Sequence, residues 1–139
     1  MTKINVGRVI VGGLVAGLVI NISEAILNLW VVAQPMADAM KAHNLPELSG
    51  QAIGLFIVLG FIMGLVTVWL YAAARPRLGA GPKTAVLIAL AVWYANYLFP
   101  SVVMSVMGLF SAGVTATAVA WGLVEIVLAS LAGAWMYAE

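Results

Sequence analysis

The chain has 139 residues, of which 65% are hydrophobic and only 8% charged, with a formal net charge of +1 and no cysteine. A soluble domain carries about 25% charged residues, so a water-exposed globule does not fit this composition, and there is no strongly basic face to attract nucleic acid. The missing cysteines exclude disulfides, thiolate metal sites and cysteine nucleophiles.

The expected architecture is all-α: an integral membrane four-helix bundle forming a single domain, residues 1–139. A helix needs about 20 apolar residues to cross a hydrocarbon core of roughly 30 Å, and a chain in lipid must satisfy its backbone internally. Four stretches qualify, at about 6–33, 51–74, 84–109 and 114–137. The first begins after Lys3 and Arg8, and Val31-Val32-Ala33 loosely resembles a signal cleavage site. Asn21, Glu24 and Asn28 interrupt this stretch, and it exceeds the roughly 7–15 residues of a signal h-region, so it reads as a retained first span. Within it, Gly13, Gly17, Asn21, Glu24 and Asn28 recur every three or four residues and share one helix face.

The first connection carries Asp38, Lys41, His43 and Glu47. It is expected to hold a short surface helix that begins near Pro35 and ends at Leu45-Pro46. Met36, Met40 and His43 share a face there and could ligate a soft metal. They read more simply as apolar anchors beside a solvated histidine, and no metal or cofactor is expected. The second span carries Gly60 and Gly64, with Thr67 and Tyr71 continuing the same stripe. It leads to a Gly/Pro turn over residues 75–83, where Arg75, Arg77 and Lys83 lie. In the third span Asn96 sits between Trp93 and Pro100. Pro100 cannot donate to the carbonyl of Asn96, so a kink is expected there. The fourth span presents Ala118, Gly122, Glu125, Ala129, Ala132 and Gly133 on one face.

An even number of spans puts Lys3, Arg8, Arg75, Arg77 and Lys83 on one side and Lys41 on the other, which predicts N-in and C-in by the positive-inside rule. Trp30, Trp69, Trp135, Tyr71 and Tyr137 fall near span ends, as an interfacial aromatic belt would.

Ionisable groups inside a membrane are costly and usually face protein or water. Glu24 and Glu125 are the two such groups, and both lie roughly 15 Å below the outer surface at about 1.5 Å per residue. If the small faces of the first and fourth spans meet, the two carboxyls converge, with Asn21, Asn28 and Asn96 as amide partners. Two carboxylates cannot both stay charged at close range in a low dielectric, so at least one of the two is expected to be protonated at neutral pH, with coupled titration if the pair shares the proton. Gly13, Gly17, Gly60, Gly64, Gly122 and Gly133 are the expected helix-packing positions.

Three roles suit this cluster: a satisfied polar core that fixes helix register, a site for protons, cations or a small cationic solute, or the interior of an accessory subunit whose glycine faces dock a membrane-protein partner. Homo-oligomerisation is compatible with each, and the lipid bilayer is the one partner implied by all. No nucleophile–histidine pair or phosphate-binding glycine loop is visible, so enzymatic activity is not expected.

Four spans with a glutamate in the first resemble, in outline, the small multidrug resistance transporters. This chain is longer, has a second glutamate in its last span and lacks the surrounding motifs, so no residue is carried over. Three stretches resemble a set of small uncharacterised bacterial four-helix inner-membrane proteins: Gly17-Leu18-Val19-Ile20-Asn21 with Glu24, Trp69-Leu70-Tyr71-Ala72 with Arg75-Pro76-Arg77, and Trp121-Gly122-Leu123-Val124-Glu125. That resemblance implies a multi-pass place in a bacterial inner membrane and no mechanism.

Overall fold

The computed structural model describes residues 3–137, and every described element is helical. Helix α1 spans Val6–Ile26, with the Asn5 side chain accepting from the Arg8 N–H at its start. It runs into a π-helical turn, Leu27–Val31, closed by the Val32 N–H donating to the Leu27 carbonyl. A short helix α2 follows at Ala33–Ala42, then α3 at Gly50–Leu78, capped by the Ser49 hydroxyl. The third apolar stretch is α4 (Pro82–Trp93), a second π-helical turn (Tyr94–Leu98) and α5 (Phe99–Val106). Helix α6, Ala112–Met136, is the last described helix and is capped by Ser111. Four of these units, Val6–Val31, Gly50–Leu78, Pro82–Val106 and Ala112–Met136, are long and apolar enough to cross a membrane.

Several expected boundaries shift. Helix α3 continues through Arg75, Pro76 and Arg77 to Leu78, so the turn shrinks to Gly79, Ala80 and Gly81. Gly79 and Gly81 have φ of 86° and 121°, a region that glycine reaches without a Cβ clash. Pro35 is the third residue of α2, where a missing N–H is still harmless because first-turn donors have no intrahelical partner. That helix ends at Ala42, before Leu45-Pro46, because Asn44 turns into the left-handed region at φ 53°.

The bundle is a ring in which α1 packs on α3 and α6 and α4 packs on α6 and α3, with α3 and α6 also meeting across it at Val68 and Gly133. Small residues set the spacing. A Cβ at Gly64 would strike the backbone of Gly13 and Gly17, and one at Gly13 or Gly17 would strike Leu65 or Phe61. The Gly13/Gly17 face of α1 therefore seats on the Gly60/Gly64 face of α3. The sequence expectation that this face meets α6 needs correction. Helix α1 turns a second small face, Gly12 and Ala16, toward α6, where Gly12 and Gly133 approach backbone to backbone. At about 100° per residue, Gly12 lies one step round the helix from Gly13, so one helix serves two neighbours.

One end of the ring is pinned by tyrosines. The Tyr137 hydroxyl accepts from the Asn5 N–H at 3.1 Å, and the Tyr71 hydroxyl accepts from the Gly81 N–H at 2.9 Å. The two rings meet edge to face at 6.1 Å, and the Arg75 guanidinium lies 5.5 Å from the Tyr137 ring centre. These contacts gather the start of α1, the Gly79–Gly81 turn and the end of α6, and with them Lys3, Arg8, Arg75, Arg77 and Lys83, at one end. Tyr71 and Tyr137 are buried, whereas Trp30, Trp69 and Trp135 are exposed. Only the tryptophans of the expected belt thus reach the outer surface.

Candidate functional site

Among the described residues Glu125 is the one buried acidic side chain, 2% exposed in the middle of α6. Its Oε1 accepts a 2.6 Å hydrogen bond from the Tyr97 hydroxyl, which also lies 3.5 Å from the Met63 sulfur on α3. Gly122, one turn before Glu125, makes room for this arrangement: a Cβ there would overlap the Tyr97 ring. Gly122 is therefore more than a helix-packing position, since it sets the ring beside the carboxyl.

From α1, Ser23 and Glu24 are the polar groups that come close to the Glu125 carboxyl, without a hydrogen bond to it. The Ser23 hydroxyl accepts from Trp121 Nε1 at 2.9 Å, which locks the α1–α6 register at this level. Glu24 is half-buried. Asn28, one turn further along the same helix, donates to the Glu24 carboxyl at 3.0 Å and to its carbonyl at 2.8 Å. Glu125 Oε2 is buried without a hydrogen-bond partner among the described residues. Unmet buried acceptors cost about 1–3 kcal/mol each, so a hydrogen-bond donor reaching this oxygen would stabilise the fold.

Asn21 and Asn96 stand apart from this cluster. Asn21 Nδ2 donates to the Gly17 carbonyl at 3.0 Å and across to the Ile57 carbonyl at 3.1 Å, with Gly60 against its amide. It is a packing residue of the α1–α3 contact. Asn96 Nδ2 donates to the Val92 carbonyl at 3.1 Å, and the side chain is exposed on the rim of a groove between α3 and α4. The cause is the π-helical turn. The Phe99 N–H reaches back five residues to the Tyr94 carbonyl, one residue further than in an α-helix. The added residue offsets the face seen by uniform 3.6-residue spacing, so Tyr97 takes the inward place expected for Asn96. Trp93, before the turn, keeps its inward contact and donates to the Val119 carbonyl at 2.9 Å.

Sequence spacing thus missed Tyr97, Ser23 and Met63. The available signals were slight: Ser23 precedes Glu24, and Gly122 stands one turn from Glu125. On α2, Met36 and Met40 are half-buried, and exposed His43 holds its Nδ1 against the Ala39 carbonyl at 2.8 Å. That nitrogen is engaged with its own helix.

Two cavities bear on what the site can admit. The α3–α4 groove, about 480 Å³, is lined by Leu59, Met63, Thr67, Val92, Ala95 and Asn96 among others. A second, about 260 Å³, lies at the tyrosine-pinned end beside Lys3, Arg75 and Tyr137. Neither is lined by Glu24 or Glu125. No protein-family model matches the chain, and neither a curated protein nor a solved structure is significantly similar to it.

Proposed function

We propose that the chain is a small multi-pass protein of the bacterial inner membrane whose Glu24–Glu125 pair takes up and releases a proton in proton- or cation-linked transport. The observation that carries this reading is a buried carboxyl with one oxygen tied to Tyr97 and the other unpartnered, with a second, half-buried carboxyl close by on the neighbouring span. Such a pair can pass a proton between an interior and a more accessible position without opening the bundle. Intramembrane acids are found along proton relays for the same reason. In this reading both termini lie in the cytoplasm, as the cluster of basic residues at one end suggests, and α2 rests on the opposite membrane surface with Met36 and Met40 toward lipid. The activity needs no cofactor and involves no enzymatic step.

The test is proton and cation flux in proteoliposomes for the wild-type protein, Glu24→Gln and Glu125→Gln. Glutamine keeps the shape of a neutral carboxyl but cannot exchange a proton. Both variants are expected to fold and to fall to the leak of protein-free vesicles. Equal flux in all three proteins would reject the reading.

A second reading is favoured by the position of the cavities, which both bypass the carboxyls. In it the chain is a non-catalytic accessory or structural subunit, and Glu125, Tyr97, Ser23 and Trp121 fix only how the helices register. Wild-type flux at the vesicle leak, with a loss of stability in Glu125→Leu, would favour it.

A further inference from the structure

The third span carries an exposed amide, Asn96, at a depth where lipid cannot satisfy it. Tyr94 is 59% exposed, and Ala95 and Asn96 beside it are exposed as well. Asn96 lies fourteen residues past Pro82 and ten short of Val106 in this span, so it sits about 15 Å from the nearer end, near the middle of a hydrocarbon core of roughly 30 Å. One of its amide hydrogens goes to the Val92 carbonyl. The second N–H and the Oδ1 have no partner among the described residues. An exposed amide is costly in hydrocarbon, and in membranes such groups bond across helices.

The third span is also the least covered of the four: only 11% of its most apolar stretch is buried, against 33% in the first span. It borders the α3–α4 groove, whose rim at Ala91 and Ala95 is low, so a neighbouring helix can come close.

We infer that two copies of this chain associate through the outer face of the third span, with the Asn96 amides of the two copies bonded to each other across a two-fold axis. A carboxamide is its own complement. It presents one free donor and one free acceptor, so a two-fold pair satisfies both copies with two equivalent bonds. A two-fold axis is the commonest symmetry of homo-oligomers and requires such a self-complementary patch. The π-helical turn makes the patch available: it turns Tyr97 inward and leaves Ala95 and Asn96 outside. An acyl chain in the groove would leave the amide unsatisfied, and an apolar partner helix would do the same.

The chain has no cysteine, so single-cysteine variants report one contact each. Ala95→Cys in purified protein, reconstituted in lipid and mildly oxidised, is expected to give a disulfide-linked dimer. Leu18→Cys and Leu128→Cys, exposed on other spans, are expected to stay monomeric. By fluorescence energy transfer in liposomes, Asn96→Leu should weaken self-association roughly tenfold, and Asn96→Gln should restore most of it. Monomeric Ala95→Cys, equal cross-linking at all three positions, or unchanged association of Asn96→Leu would each overturn the inference. None of these outcomes bears on the proton-exchange reading, because Asn96 does not touch the carboxyls.

Discussion

Tyr97 and Asn96 are adjacent in the chain and do different work: one hydroxyl serves a buried carboxyl, and one amide faces outward. Polar residues in the spans thus divide into those that meet Glu125 and those that hold helices together. Asn21 belongs to the second group. Asn21→Ala should lower stability by about 0.6–1.7 kcal/mol, the span of measured interhelical hydrogen bonds, and leave flux unchanged. Unfolding in mixed micelles, paired with the liposome assay, checks both halves. The two glutamates were legible in the sequence because an acid inside an apolar run is anomalous wherever it occurs. Tyr97 was not, because a tyrosine in a span is unremarkable until its neighbour is known.

At the level of helices, the spans could be read from hydropathy alone, and the glycine spacing marked α1 and α3 as packing faces, although it paired the Gly13/Gly17 face with α6 rather than with α3. What uniform periodicity could not reveal were the two π-helical turns, each of which shifts the face of everything beyond it, and the use of two adjacent small faces on α1. The glycines also differ in what they do, and substitution should show it. Gly64→Ala places a methyl against the backbone of Gly13 and Gly17 and should destabilise by about 1–3 kcal/mol, as overpacking does. Gly122→Ala should displace the Tyr97 ring and lower both stability and flux. Gly54 has nothing within 4 Å of an added Cβ, so Gly54→Ala should stay within roughly 0.5 kcal/mol of wild type. Thermal unfolding of the three variants in one detergent tests the ordering.

For the whole molecule, the tyrosine-pinned end gathers the basic residues, and the α2 connection lies at the other. If that basic end is cytoplasmic, a membrane-impermeant maleimide added to intact cells should label His43→Cys, and should label Lys83→Cys only after permeabilisation. The reverse pattern would invert the topology and leave the interior unchanged. The proposed site itself depends on three spans meeting at one level, through the Tyr97–Glu125 bond and the Ser23–Trp121 bond. The most direct check is a double-mutant cycle on stability with Tyr97→Phe, Glu125→Leu and the pair. A bond at 2.6 Å predicts a coupling of about 0.6–1.7 kcal/mol. Additive losses, with no coupling, would mean that the tyrosine and the carboxyl do not meet, and the site built around them would be wrong.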